Sequence, residues 1–329
     1  MTLEELYGRH NLLGRLVFAF FVVAFGAVTV FAQDPAPTPP KQGDKKAGQI
    51  TIDTDLVTLT LTVTDNYGRF VSGLDKDAFT VWDQKQKQKI TFFSDTDAPV
   101  SIGILFDVSG SMNGDKIAKA RNALERFIYT SHPRDEYYLI AFNKRAQLLM
   151  DRTRDGEAVL NRLTLVEPKH NTALYDACYL GVERVTRGTH QKKALLIISD
   201  GQDNASRYNF KEVRRLMKES DVVIYSVGIM DLHDASSFEG MQGQAFLDEL
   251  SSVTGGKSFY PTTEVEMDEI FERIALELRH QYSIGYTPDD FSPNGDWRKV
   301  KVKVKRVTGL GRLTVRHRSG YYATPRIKK

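Results

Sequence analysis

The chain has 329 residues, with 45 Lys and Arg against 42 Asp and Glu and 41% hydrophobic side chains. This length allows two domains and a substantial core, and the composition is that of a globular protein rather than a disordered one. A single cysteine, Cys178, excludes an internal disulfide.

Residues 1–32 read as an export signal and not as part of the fold. Arg9 and Arg15 precede an apolar run from Leu16 to Phe31, and Val30-Phe31-Ala32 offers a small-residue cleavage site. Glu4 and Glu5 offset the two arginines, which is atypical of a signal. The run, about sixteen residues, is short for a spanning helix, so a cleaved signal is expected, with an uncleaved anchor as the alternative. With no cysteine nearby, a lipid-anchored form is not expected. Residues 33–49 carry Asp-Pro-Ala-Pro-Thr-Pro-Pro and then lysines and glycines, a solvated linker.

Residues 50–97 read as the first part of a β-sandwich. Leu59, Leu61 and Val63 alternate with threonines, the period of a half-buried strand. Asp65 to Gly68 is a turn. Phe79 to Trp82 and Lys89 to Phe93 read as strands around a Gln/Lys hairpin. These strands are too few to close a sandwich alone and need partners from elsewhere.

Residues 98–280 alternate strand and helix. The pattern predicts strands at 100–107, 137–142, 146–150, 194–199, 222–229 and 257–260, and helices at 115–130, 155–164, 173–187, 209–219, 244–254 and 265–279. Such alternation gives an α/β fold with a doubly wound, mostly parallel sheet covered on both faces. The strand 146–150 follows a tight turn and is expected as an antiparallel edge. After Gln281 the pattern returns to strands at 282–286, 299–307 and 311–318. Residues 281–325 are thus the second part of the sandwich, into which the α/β domain is inserted.

The stretch Ile102-Gly-Ile-Leu-Phe-Asp107-Val-Ser109-Gly-Ser111 is a buried strand that runs into a polar loop and then a helix. Open α/β sheets place ligands at such strand ends. Asp107, Ser109 and Ser111 are three oxygen ligands with no soft donor, a set suited to a hard cation, Mg²⁺ above all. Later strand and helix boundaries carry Thr172 and Asp200, the latter in Ser-Asp-Gly. Asp-Val-Ser-Gly-Ser, an isolated Thr and then Ser-Asp-Gly resembles the metal-ion-dependent adhesion site of a von Willebrand factor type A domain. The resemblance implies that Ser109, Ser111 and Thr172 touch the metal and that Asp107 and Asp200 hold it largely through waters. Neutral hydroxyls would leave the cation poorly neutralised, with a position open for a partner's Asp or Glu. Five hydroxyl or carboxylate residues also tolerate Mn²⁺ or Ca²⁺. Gln281 to Pro288 and Ser319 to Ala323 extend the likeness to the exported "VWFA-related" family of acidobacteria.

Other features compete for a role. Residues 297–329 carry twelve Lys or Arg and no acid. One reading is a polyanion surface, and the other is a solvated face whose lysines blunt a strand edge. No nucleic-acid motif accompanies them. Cys178 sits among apolar helix residues and reads as core. His132, His170, His190 and His233 lack zinc spacing. The stretch Met230 to Gly243 is either a rim of the metal site or a mobile loop. Asn204-Ala-Ser206 fits a glycosylation acceptor but is discounted at the metal loop.

The expected function is an exported, metal-dependent protein-binding module, not an enzyme, with no nucleic-acid partner and no stable membrane span after signal cleavage. One alternative is a Mg²⁺-dependent hydrolase or phosphoryl-transfer enzyme using Asp107. Against it, Ser109 stands where phosphoaspartate enzymes carry a second acid. The other is an envelope scaffold that binds through the sandwich.

Overall fold

The computed structural model describes residues 56–324 apart from 167, 170 and 232–235. The export signal, the linker, His170 and His233 lie outside the described residues.

The alternating threonine stretch is β1 (Val57–Thr64), with Val57, Leu59, Leu61 and Val63 buried. Gly68 closes the following turn, at φ +75° and with its N–H on the Asp65 carbonyl. Then come β2 (Phe79–Asp83), β3 (Gln86–Gln88) and β4 (Ile90–Ser94). Here the structure corrects the expected hairpin. Short β3 forms the hairpin with β2, and β4 crosses to the other sheet. Phe93 is what draws it there, since its ring packs on Phe79 and Tyr282 between the sheets.

Next are β5 (Val100–Asp107), α1 (Asp115–Thr130), β6 (Glu136–Phe142), β7 (Ala146–Thr153), α2 (Gly156–Thr164) and α3 (Leu174–Val185). They are followed by β8 (Lys192–Ser199), α4 (Phe210–Glu219), β9 (Val223–Gly228), α5 (Phe238–Thr254), β10 (Lys257–Phe259) and α6 (Glu264–Arg279). The six strands make one sheet in the order β10-β9-β8-β5-β6-β7, parallel except for β7. Every residue of β5 is buried, as a central strand covered on both faces requires. Ile102, Ile104 and Phe106 face a core built with α1, α2 and α6, while Leu105 faces one built with α3, α4 and α5. Each such side chain contributes about 1.5–3 kcal/mol by leaving water. Cys178 is fully buried in the second core, as expected. Helix α5 begins six residues earlier than its apolar pattern predicts. Gly240 and Gly243 weaken the local helix propensity, but Ser237 caps the new start through the Gly240 N–H.

The chain ends with β11 (Tyr282–Tyr286), β12 (Trp297–Val304), β13 (Thr314–Arg316) and β14 (Gly320–Tyr322). The expected strand at 311–318 is shortened to β13, and a further short strand, β14, lies beyond it in the other sheet. One sheet runs β13-β1-β11-β4 and the other β14-β12-β2-β3. Their inner faces share a core of Leu59, Leu61, Val81, Ile284, Val300 and neighbours, which makes a β-sandwich. The α/β domain is inserted between β4 and β11, which pair with each other. Its two ends therefore enter and leave side by side.

Candidate metal centre

Strand β5 lies between β6 and β8, so the chain leaves β5 toward one side of the sheet and returns on the other. Loops at the carboxyl ends of β5 and β8 splay apart at such a switch point and leave room for a ligand. Asp107 ends β5, Ser199 ends β8, and Asp200 follows it.

Asp107 is completely buried. Its Oδ1 accepts the Ser109 N–H at 2.8 Å, and its Oδ2 accepts the Ser199 hydroxyl at 2.6 Å. The first bond curls the loop back on itself. It brings the Ser109 and Ser111 hydroxyls within 3.0 Å of each other in a single turn of 3₁₀ helix, Gly110–Met112. Ser109 is buried and Ser111 exposed, so this pair runs from the interior to the surface. Burial, and next the charge of Asp200, push the Asp107 carboxyl up to about 7, against the hydrogen bonds from Ser109 and Ser199.

Thr172 reaches the site through backbone. Its N–H donates to Asn204 Oδ1 at 2.9 Å, and its carbonyl accepts the N–H groups of Asn204 and Ala205 at 3.0 and 3.1 Å. The next residue, Ala173, donates to the Asn143 carbonyl just past β6 at 2.7 Å. The start of α3 lacks a capping side chain of its own. Asp203 supplies it from the neighbouring loop, accepting the Tyr175 N–H at 2.9 Å, and the Ser206 hydroxyl accepts the Asp176 N–H at 3.0 Å. The Thr172 loop and the loop after Asp200 are therefore one hydrogen-bonded unit.

Glycines fix the other side of that unit. Gly201 has φ +83°, and a Cβ there would lie 2.5 Å from the Gly243 carbonyl oxygen. A Cβ on Gly243 would lie 2.7 Å from the Asp200 carbonyl oxygen. Helix α5 thus rests backbone to backbone on the Asp200 loop. Of the stretch Met230 to Gly243, the part from Phe238 is helix against the site rather than loop.

All five expected residues are at these loops. Hydrogen bonds join Asp107, Ser109 and Ser111, and Asp200 acts on Asp107 through its charge. Thr172 is tied in through Asn204. The set is two carboxylates and three hydroxyls, oxygen throughout, which fits a hard divalent cation. A cation at this place would also offset the crowding of Asp107 by Asp200. Among the described residues no three His, Cys, Asp or Glu side chains gather as a metal group, because most of the donors here are hydroxyls. Ser199, Asn204, Asp203 and Gly243 were not expected. Ser199 is visible in the sequence only as the neighbour of Asp200, and its bond to Asp107 depends on the parallel register that pairs Phe106 with Ile198. Asn204, expected at most as a discounted glycosylation acceptor, has its side chain engaged by Thr172.

The family model for the von Willebrand factor type A domain matches residues 101–273. A protein of Borreliella burgdorferi is 23% identical over 218 residues, which cover 63% of this chain and 62% of that protein. The human inter-alpha-trypsin inhibitor heavy chain H4 is 22% identical over 173 residues, 49% of this chain and 18% of that one. The chain spans less than two thirds of the length of these curated relatives. Among solved structures, a von Willebrand factor type A protein from Catenulispora acidiphila superposes with TM-score 0.47 at 12% identity, over 81% of this chain and 74% of that one. Mussel proximal thread matrix protein 1, with its metal-site motif occupied by zinc, gives 0.47 at 16% identity, over 60% and 49%. No helix among the described residues is long and apolar enough to cross a membrane.

Proposed function

The chain belongs to the von Willebrand factor type A family, and from that premise we propose that it is an exported, divalent-metal-dependent protein-binding module. The hydroxyls of Ser109, Ser111 and Thr172 and the carboxylates of Asp107 and Asp200 hold the ion, Mg²⁺ first, with Mn²⁺ or Ca²⁺ tolerated. When bound, the ion supplies a poorly neutralised positive charge at the protein surface. The partner presents an Asp or Glu carboxylate to it.

The observation that carries this reading is the setting of Asp107. A fully buried carboxylate is held by two serines and crowded by a second carboxylate, at the switch point of the sheet. The chain's own residues do two things. Ser109 and Ser199 orient Asp107, and the Asn204 side chain holds the Thr172 backbone. The role is binding without turnover. Export rests on the sequence of residues 1–32.

Capture by an immobilised Asp- or Glu-containing peptide tests the proposal. The full chain is expected to bind in Mg²⁺, to release in EDTA and to rebind when Mg²⁺ is restored. Thr172→Ala and the matching Asn or Gln peptide should abolish capture. Capture that persists through chelation and through Thr172→Ala would contradict it.

A further inference from the structure

Strand β12 divides its residues between two faces. Arg298, Val300 and Val302 point into the sandwich and are buried. Arg298 is paired there with Asp83 and Asp290. Lys299, Lys301 and Lys303 point outward and are exposed. With Trp82, Gln84 and Lys85 they line a groove of about 420 Å³. Among the described residues no carboxylate lines it.

The view that these lysines protect an open strand edge meets the cover that the chain at 317–319 gives this strand. β12 lies between β14 and β2, inside its sheet. β14 pairs only with Trp297–Lys299, and beyond it the Ser319 carbonyl and the His317 ring take the Val300 and Val302 N–H groups, so the side away from β2 is already covered there. Trp82 sits opposite Lys301 on one side and Lys87 on the other, and Lys303 Nζ lies 5.4 Å from the centre of the indole. Like charges packed on one face repel, so the array opposes folding.

The hairpin beside the groove carries a second cost. Gln84 and Lys85 both adopt positive φ, +47° and +73°. A two-residue hairpin turn of this kind favours Asn-Gly. Here two long side chains occupy the strained positions, and both line the groove. Local strain that persists in a fold clusters at functional positions.

We propose that this face binds an acidic polysaccharide. The Trp82 ring stacks on a sugar, and Lys85, Lys299, Lys301 and Lys303 hold its carboxylate or sulfate groups. Gln84 offers a hydrogen bond to a hydroxyl. A membrane surface fits less well, because the indole is half-buried between lysines and, among the described residues, no other apolar side chain lines the groove to enter a bilayer. Single-stranded nucleic acid stacks successive bases on successive rings, and among the described residues one ring lines the groove. The site is separate from the metal loops and does not depend on their role.

The chain has two tryptophans, so Trp297→Phe leaves Trp82 as the sole indole reporter. In that background, heparin fragments and polygalacturonate are titrated into the full chain, beside polyphosphate, an oligothymidylate and phosphatidylglycerol vesicles. The expected result is a saturable, salt-sensitive change in Trp82 emission with at least one of the two polysaccharides. Calorimetry on Lys299→Gln/Lys301→Gln and on Trp82→Ala should then show affinity lower by tenfold or more, while Asp107→Ala binds normally. Gln84→Asn/Lys85→Gly is the control for misfolding, since it should melt higher and bind more weakly. Failure of both polysaccharides to bind overturns the proposal. So does binding that is insensitive to Trp82→Ala, or tighter binding of polyphosphate, oligothymidylate or vesicles.

Discussion

Asp83 and Asp107 are both strand-end aspartates with no solvent exposure, and their surroundings are opposite. In the sandwich, Asp83 takes the Arg298 Nε at 3.0 Å, the Tyr286 hydroxyl at 3.0 Å and the Tyr321 hydroxyl at 2.7 Å. Its charge is matched inside the protein, and the group serves to fix β2 against β11, β12 and β14. In the α/β domain, Asp107 receives, among the described residues, neutral donors from Ser109 and Ser199, and its charged neighbour is another acid. The first aspartate is complete as the chain folds. The second has its charge left for something from outside to match. A buried charge therefore reveals its role through what surrounds it, not through burial alone.

The comparison can be broken from either side. The largest effect is expected in the sandwich. Arg298→Met strands Asp83 in the core and should cost about 3–5 kcal/mol in urea unfolding, much of it recovered in Asp83→Leu/Arg298→Met. On the metal side, Mg²⁺ at a hundred times its dissociation constant should stabilise the chain by about 2.7 kcal/mol, and Asp107→Asn should remove that gain. Gly243→Ala pushes a methyl group into the Asp200 carbonyl and should cost about 1–3 kcal/mol and weaken Mg²⁺ binding at the same time.

The pH dependence sharpens the contrast. Folded Asp107 keeps its proton up to about pH 7. The unfolded carboxyl loses it near pH ~4. Metal-free stability from this group is thus fully present below pH ~4 and falls as pH rises to about 7. Mg²⁺ must displace the same proton, so its affinity should rise up to tenfold per pH unit toward pH ~7 and then level off, which calorimetry at several pH values would record. The smallest effect is at Cys178. Buried and with its thiol pushed up by burial, it should resist thiol reagents in the native chain and react only on unfolding.

Much of this was legible in the sequence because the signals were local. Asp107, Ser109, Ser111, Thr172 and Asp200 stand at element boundaries that periodicity marks, and β5 and β8 are continuous apolar runs. What escaped depends on distance in the chain. Ser199 supports Asp107 across 92 residues, and only the register of two parallel strands brings them together. The start of α5 was hidden because Gly243, which disfavours helix, is required by the Asp200 loop it rests on. The division of the β2 hairpin reflects Phe93, whose demand for the sandwich core overrides the simpler pairing. The lysines of β12 were visible, but what covers the strand beside them is Ser319 and His317, which only the folded chain brings there.

The most direct test of the central claim is calorimetric titration of Mg²⁺ into the full chain and into Asp107→Asn, with an unfolding curve for each. A single saturable site in the native chain, absent in an equally folded Asp107→Asn, is the predicted result. No heat of binding in folded native chain, or identical binding in both, would contradict the account of Asp107 as the charge left for a cation.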